Sequence, residues 1–227
     1  MAEIHRTTMT PNKLELLSGW LLKQPWYRGT GTAPLLAKAG GFRLDDPLGE
    51  VGIEVMFIAD KLGGHEVVYH VPLSYRGAAL GAADAGLVGT ADHGVLGRRW
   101  IYDGAHDAVA VAQLLALAQE RADPQHQTRS GALEPSVVGR DLRSTGLTVS
   151  TAHPMVPSSD NRRTTIAVTA VDGTGARVPD VRLELERVLA PRGHGYAEGL
   201  PGACGQVEAT WSHSDGSSAR GLIVLVR

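Results

Sequence analysis

Two stretches of the sequence carry residue types that handle phosphate in other proteins. Residues 28–32 place two glycines beside an arginine, and His213-Ser214-Asp215 has the residue types of a catalytic loop. A phosphate cradle needs a strand before it, a helix after it and a lysine, and the first stretch lacks that context. Gly216 follows the second stretch and predicts a hairpin turn. Phosphoryl transfer also needs a cation beside the phosphates, and no lysine follows Lys61, so we expect no kinase activity and leave other enzyme types open.

One histidine–aspartate pair could bind a metal. His106 and Asp107 are adjacent, and a further ligand would have to come from His70 or His93. A metal site needs three or four converging ligands, and the spacing does not gather them, so we interpret Asp107 as a helix cap. Cys204 is the single cysteine, which excludes an internal disulfide, and no nearby base lowers the pKa of its thiol. We therefore expect no metal and no cofactor.

The best candidates for a binding surface are an aromatic-basic loop and the end of a strand. Trp26, Tyr27 and Arg28 are consecutive, and Tyr75 and Arg76 form a second pair. Aromatic residues beside an arginine are typical of protein interfaces and of surfaces that stack on sugars. The alternative is that Trp26 and Tyr27 only close the open end of a hydrophobic core.

Tyr75 and Arg76 lie in a stretch, residues 51–107, that predicts an antiparallel meander. Apolar and polar residues alternate there with the period of two that is typical of a strand. The predicted strands are residues 51–57, 67–75, 87–91 and 98–103, with glycine-bearing turns at residues 61–64 and 93–97. Alternation leaves one apolar face that needs a cover, and it assigns polar residues such as His70 to the opposite face.

Two predicted helices can supply that cover. Thr10 and Pro11 predict the start of the first helix, because a hydroxyl can cap it and proline suits its first position. Pro25 ends this helix, and its apolar stripe is Leu14, Leu17 and Leu21. Asp107 caps the second helix, which Pro124 stops. Its apolar face consists of Val111, Leu114, Leu115 and Ala118.

The C-terminal part of the sequence predicts an all-β unit. Residues 123–145 are rich in Gln, Ser, Arg, Gly and Pro, which predicts a linker or a surface crossover. Strands are predicted at residues 165–171, 181–186, 207–212 and 222–226. The expected fold class is α+β, with a helix packed on an antiparallel sheet in residues 1–122 and a second antiparallel β unit in residues 146–227. The pattern leaves open whether the second unit packs separately or extends the first sheet.

Length and composition limit the class of protein. The 227 residues, 43% hydrophobic and 20% charged, suffice for one large domain or two small ones. The formal net charge of −2 provides no field for nucleic acid or an anionic membrane. No apolar run approaches the roughly 20 residues that span a bilayer, and no hydrophobic signal segment is visible. We expect a cytoplasmic protein, with its oligomeric state unknown.

Three segments resemble the N-terminal cap domain of actinobacterial maltokinases and related sugar kinases. The first is Gln-Pro-Trp-Tyr-Arg-Gly at residues 24–29, and the second is Tyr-His-Val-Pro-Leu-Ser-Tyr-Arg at residues 69–76. The third combines Leu-Val-Gly-Thr at residues 87–90 with Arg-Trp-Ile-Tyr-Asp at residues 99–103 and the His106-Asp107 pair. In this order and spacing the resemblance covers residues 10–122.

The resemblance implies a cystatin-like cap, in which an antiparallel sheet wraps a helix, and a link to trehalose, maltose or glycogen metabolism. Because the sequence has no counterpart of the catalytic lobe of those kinases, we expect a stand-alone, non-catalytic protein that contacts a protein partner. The alternative is an enzyme of unfamiliar type that binds a small molecule or a sugar phosphate. A convergent polar pocket with histidines of perturbed pKa would favour that alternative. An exposed apolar patch rimmed by charge would favour protein contact.

Overall fold

The protein is described by a computed structural model that covers most of the chain. The described residues are 8–29, 33–61, 65–81, 84–144, 146–150, 155–192 and 201–227. Within these ranges it consists of two antiparallel sheets and two short α-helices. The turn predicted at residues 61–64 and the glycine stretch at residues 28–32 lie partly outside the described residues.

The first sheet has six strands and contains the predicted meander. The strands are β1 (Met9–Thr10), β2 (Leu36–Leu44), β3 (Gly52–Asp60), β4 (Val67–Arg76), β5 (Leu87–His93) and β6 (Gly97–Asp103). They lie in the order β1-β5-β6-β4-β3-β2, and the four predicted strands are confirmed as β3 to β6. Sequence reasoning missed β2 because Gly40 and Gly41, with φ angles of 144° and 138°, interrupt it at a shift of register after Lys38.

The first helix, α1 (Lys13–Leu21), begins later than predicted. The expectation that Thr10 caps it is wrong. Asn12 Oδ1 accepts a hydrogen bond from Glu15 N at 3.1 Å, and Glu15 Oε2 accepts one from Asn12 N at 2.8 Å. This reciprocal pair is a capping box, which competes well with a lone hydroxyl cap. Leu17, in the middle of the predicted stripe, is 1% exposed.

The second helix, α2 (Ala108–Ala118), begins where predicted. Asp107 Oδ1 accepts a hydrogen bond from Val109 N at 3.0 Å and so caps the helix. The predicted apolar face is buried throughout, at Val111, Leu114, Leu115 and Ala118. The helix ends well before Pro124. No helix in the described residues combines the length and the apolar character that a membrane span requires.

The two helices cover opposite faces of the first sheet. α1 packs on one face, in a cluster with Met56 and Tyr69. α2 and the second sheet cover the other face, in a cluster with Val55 and Phe57. The expectation that only one face needs a cover is therefore wrong, and His70, assigned to the polar face, is fully buried.

The second sheet has seven strands. They are β7 (Val137–Asp141), β8 (Thr148–Val149), β9 (Pro157–Ser159), β10 (Arg163–Val171), β11 (Arg177–Glu186), β12 (Gly205–Ser212) and β13 (Ser218–Val226). The order is β7-β12-β13-β11-β10-β8, and β9 pairs with β10. The second β unit is confirmed, and the fold is mostly antiparallel β, so the α+β expectation holds only in part. β7 lies within the segment predicted as a linker, and the division at residues 1–122, 123–145 and 146–227 stays a prediction.

The second unit also extends the first sheet at one point. Just beyond β11, Val188 forms an antiparallel bridge with Tyr69 of β4. β6 pairs with β4 from Leu73 onward, so residues 187–189 continue along the same side of β4. The C-terminal unit thus forms its own sheet and adds a short segment to the first.

Candidate functional site

The aromatic loop after α1 is anchored in the core of the first sheet. Trp26 is 1% exposed, and its ring centroid lies 5.7 Å from that of Tyr69. The half-buried Tyr27 donates its hydroxyl hydrogen to Asp60 Oδ2 at 2.7 Å. Burial and this hydrogen bond raise the pKa of Tyr27, so the phenol stays neutral. Trp26 and Tyr27 thus anchor the loop to the first sheet, while the side chain of Arg28 is exposed.

Tyr75 and Arg76 lie at the far end of β4. The Tyr75 hydroxyl donates to Glu54 Oε2 at 2.9 Å. Arg76 makes a bidentate contact with Asp107, with Nε and Nη2 donating at 2.6 and 2.7 Å. A strand rises about 3.3 Å per residue, so Tyr75 lies about 20 Å from Tyr69 beneath the aromatic loop. The structure therefore places the five candidate residues in two separate groups, and their binding role stays a prediction.

Glu54 is the centre of a polar cluster rather than a free acid. Its carboxylate accepts from Tyr75 and from Gln127 Nε2, the latter at 3.0 Å, and it forms an ion pair with Lys13 Nζ. Burial and the nearby Glu54 charge raise the pKa of Tyr75 well above its ordinary value. These contacts tie the start of α1 and the crossover segment to the first sheet, so the cluster is structural.

Asp107 also has a structural role, because it both caps α2 and binds Arg76. Burial raises the pKa of its carboxyl, but the hydrogen bonds that it accepts and the positive charge of Arg76 together outweigh this and hold the pKa below its usual range. Desolvation lowers the pKa of the neighbouring His106. His70 lies in the core and His93 at the end of β5, and among the described residues no three His, Cys, Asp or Glu side chains are placed to hold a metal ion.

A buried ionic junction joins the two sheets. Arg187, fully buried just after β11, donates through Nη2 to Asp103 Oδ2 at 2.6 Å. Its Nε donates to Thr164 Oγ1 at 2.7 Å, and its guanidinium carbon lies 5.2 Å from the centre of the Trp26 ring. A buried charge is tolerated when it is paired and hydrogen-bonded. Trp26 of the aromatic loop therefore covers the charged group that links the C-terminal unit to the first sheet.

His70 lies beside this junction. Its Nδ1 is 3.1 Å from Glu186 O, and because a carbonyl oxygen can only accept, Nδ1 carries the proton. Nε2 is buried without a hydrogen-bond partner among the described residues. Burial and the charge of Arg187 lower the pKa of His70 to about 3. The ring is therefore neutral at physiological pH.

A polar pocket of 330 Å³ lies between β2, β12 and the crossover segment. Its lining includes Lys38, Glu134 and Ser136. Glu134 Oε1 already accepts hydrogen bonds from Ser136 N and Oγ, at 3.2 and 2.7 Å. His70 and His106, the histidines with lowered pKa values, are not part of the lining. The pocket thus offers polar groups to a ligand, and neither His70 nor His106 is among them.

A groove of 630 Å³ lies between α1 and the start of β5, and apolar side chains line it together with Lys23 and Gln24. Its lining includes Leu16, Gly19, Trp20, Lys23, Leu87 and Val88. A Cβ added at Gly19 would meet no atom within 4 Å, so the groove is open there. Lys23 is exposed at its rim. The groove thus mixes apolar with polar groups and is not the apolar patch rimmed by charge that would favour protein contact.

The remaining sequence candidates are structural. His213-Ser214-Asp215 forms the predicted hairpin turn between β12 and β13, in which Asp215 Oδ1 accepts from Ser217 N at 2.8 Å. His213 Nδ1 lies 2.7 Å from Glu66 Oε1, which fixes the turn to the first sheet. Burial raises the pKa of the Cys204 thiol, as expected for an unreactive cysteine.

Sequence reasoning missed the ionic junction although one half of it was visible. The inward residues of β11 alternate from Val181 to Leu185, and Arg187 continues the same parity. An arginine at an inward position predicts a buried anionic partner. The partner Asp103 lies 84 residues away in the sequence, and no local pattern brings the ends of β6 and β11 together.

Comparison with known proteins bears on the first sheet. Residues 20–107 match the family model described as the maltokinase N-terminal cap domain. The match begins inside α1, includes β2 to β6 and ends at the cap of α2. The resemblance seen in the sequence is confirmed over this segment. No curated protein matches the chain.

Proposed function

We propose that the protein is a non-catalytic, cap-like protein that acts through contact with another protein. The observation that carries the proposal is the match of residues 20–107 to the maltokinase N-terminal cap domain. We further propose that the cap is cystatin-like, with α1 wrapped by the first sheet, and that it acts in the cytoplasm. The partner we propose is an enzyme of trehalose, maltose or glycogen metabolism.

The engagement of the acidic groups supports this proposal over a catalytic role. Glu54, Asp103 and Asp107 are each committed to an ion pair inside the protein. Chemistry at an active site requires such groups to face a ligand in hydrogen-bond reach. These three carboxylates instead stabilise the fold.

The aromatic loop supports a contact role in another way. Arg28 N donates to Tyr69 OH at 3.0 Å, so the backbone beneath the exposed side chain is fixed. Because the backbone is fixed before binding, only the side chain loses conformational freedom on binding, which favours its use in an interface. We propose that Arg28 is part of the contact surface, next to the anchors Trp26 and Tyr27.

Affinity capture followed by a binding measurement tests the proposal. The tagged protein is used to capture chains from its native lysate, and each enriched enzyme is purified and titrated against it by calorimetry. We expect saturable binding of a trehalose, maltose or glycogen enzyme, weakened by Arg28→Ala and unchanged by Arg129→Ala, an exposed arginine on the crossover. If no enriched enzyme of these pathways binds in purified form, the proposal fails.

The polar pocket favours a second candidate function, binding of a small molecule or a sugar phosphate. Lys38 supplies a positive charge, and Glu134 and Ser136 supply polar groups that a hydroxylated ligand can contact. A thermal-shift titration with sugars and sugar phosphates tests this, with Glu134→Gln as the pocket variant. A coupled assay with ATP and maltose, glucose or glucosamine tests for turnover. Saturable stabilisation that Glu134→Gln abolishes, or sugar-dependent ADP release, would establish the second candidate over the first.

A further inference from the structure

One edge of the first sheet is unpaired beside the groove between α1 and β5. β1 pairs with Asp92 and His93 at the end of β5. The chain then leaves the sheet at Pro11 and enters α1. No other strand of the described residues pairs with that side of β5, so residues 87–91 form a vacant position for a strand.

Alternation along β5 defines which groups this edge offers. Gly94 N donates toward β1, to Thr8 O at 3.2 Å. In an antiparallel ladder every second residue directs its N–H and C=O to the same side. Counted back from Gly94, every second residue is Asp92 and then Thr90. The shift of register in β5 lies between Leu87 and Gly89, so it does not change this alternation as far as Thr90. The N–H and C=O of Thr90 therefore point to the vacant position.

The groove adds side-chain recognition to this backbone edge. Leu16 and Trp20 of α1 face Leu87 and Val88 of β5 across it. Side chains of an added strand alternate between its two faces, so every second side chain of such a strand can enter the groove. A strand edge beside a groove that contains apolar side chains matches the mode in which a protein binds an extended peptide by adding it to a sheet.

Charge complementarity indicates one more property of the occupant. Lys23 is exposed at the groove rim. The ion pairs among the described residues do not include it. A second copy of this chain would bring the same basic rim, whereas a partner with an acidic residue would complement it.

We propose that residues 87–91 and the groove bind an extended segment of a partner protein, which adds a strand beside β5. Apolar side chains at alternate positions of that segment fill the space between Leu16, Trp20 and Val88, and an acidic side chain at its end contacts Lys23. This inference rests on the proposed function in protein contact and specifies where and how that contact is made.

A defined peptide tests the site without knowledge of the natural partner. The probe is a capped synthetic peptide of about eight residues, which matches the reach of a short strand, with valine and threonine alternating and a terminal glutamate. It is titrated into the full isotope-labelled chain, and amide shifts are followed by NMR. We expect shifts at residues 87–91 and at the Trp20 indole, with slowed hydrogen exchange at Thr90. A matched peptide with proline in place of the central valine should not bind.

Two variants of this chain probe the groove and the edge separately. Gly19→Gln fills the open groove from an exposed helical position where an added side chain meets no atom. Thr90→Pro removes the backbone donor at the vacant edge. We expect each variant to weaken peptide binding by about tenfold or more. Gly173→Gln, at an equally open glycine in the turn between β10 and β11, is the matched control and should bind like the unmodified chain.

Each outcome decides the proposal. Shifts confined to residues 87–91 and α1, weakened by both folded variants, support it. The proposal is wrong if the peptide shifts amides elsewhere, or if millimolar peptide shifts none. It is also wrong if sedimentation shows that the chain self-associates and hydrogen exchange shows that the β5 amides are protected in that state. If a purified partner enzyme binds the chain and Gly19→Gln and Thr90→Pro leave its affinity unchanged, the site is wrong and the proposed function stands. The spectrum of each variant confirms its fold, and exchange at Thr90 in the unmodified chain serves as a readout that needs no variant.

Discussion

The buried histidine at the junction of the two sheets should make the stability of this protein fall on mild acidification. His70 is fully buried, and its pKa is lowered from 6.5 to about 3. In the unfolded chain the imidazole is hydrated and binds a proton near its ordinary pKa. Between these two values the unfolded state binds more protons than the folded state. The contribution of His70 to the free energy of unfolding is therefore fully present above its unfolded-state pKa. It decreases as the pH falls from that pKa toward the folded-state pKa.

The magnitude follows from the width of that window. One pKa unit corresponds to about 1.4 kcal/mol, so the whole window is worth about 5 kcal/mol. Between about pH 7 and about pH 5 the expected loss is about 2 kcal/mol. His106, whose pKa is also lowered, contributes in the same direction. The effect of His70 must therefore be isolated by difference.

Urea denaturation at a series of pH values, on the unmodified chain and on His70→Asn, provides that difference. Asparagine can donate to Glu186 O as the ring does at 3.1 Å, but it does not titrate. We expect His70→Asn to be less stable than the unmodified chain at neutral pH. The difference between their free energies of unfolding should become smaller by about 2 kcal/mol by about pH 5. Phe57→Leu is the control, because it removes packing 6.0 Å from the His70 ring without removing a titratable group. The difference in free energy of unfolding between Phe57→Leu and the unmodified chain should not change with pH.

Parallel pH dependences for the unmodified chain and His70→Asn would refute the reasoning. A direct measurement gives the same decision if the variant does not fold. The ring carbon resonances of His70, followed by NMR in the folded chain, should not titrate above about pH 4. A transition near the ordinary histidine value would show that the ring is hydrated or paired in solution.

Three further predictions concern stability, each read from urea midpoints. Asp103→Ala leaves the guanidinium of Arg187 buried without its anion and should cost about 3–5 kcal/mol, whereas Asp103→Leu combined with Arg187→Met should recover most of that loss; a double variant as unstable as the single one would contradict this. Asp107→Asn keeps the cap of α2 but removes the charged partner of Arg76, so it should cost about 1–3 kcal/mol, and a negligible cost would show that the cap is its main role. Leu17→Ala should cost about 2–5 kcal/mol because this side chain is buried beneath α1, and an unchanged midpoint would exclude the helix from the core.

Local patterns in the sequence predict α2, the strands β3 to β6 and the strands β10 to β13, for identifiable reasons. β4 and β11 alternate regularly, and the Asp107 cap precedes a compact apolar face. Thr10 and Pro11 favour an earlier start for α1 than the one that the Asn12 capping box gives it. The spacing of Asn12 and Glu15 is visible in the sequence, so the correct start can be predicted from it.

The contacts between the halves were not predictable by the same means. His70 was assigned to the polar face of its strand, which is correct for one isolated sheet with one cover. The second sheet packs on that face, and this turns a polar position into a buried one. Trp26 was predicted as a binding residue or a core residue, and its stacking on Arg187 depends on a contact across 161 positions of the sequence, counted from 187 and 26. Such long-range pairings carry no local signature.

The bridge between Val188 and Tyr69 bears on whether the segment that matches the family model can fold without the rest of the chain. A fragment that ended with the family match at residue 107 would contain Asp103 without Arg187 and would leave part of β4 without its neighbour. Exposed strand edges promote aggregation, so that fragment should be recovered in inclusion bodies even though its sequence is recognisable. Grafting this cap onto another protein would require the recipient to supply a buried cation and a short strand at the same place. The segment that the family model matches is thus smaller than the unit that we expect to fold on its own.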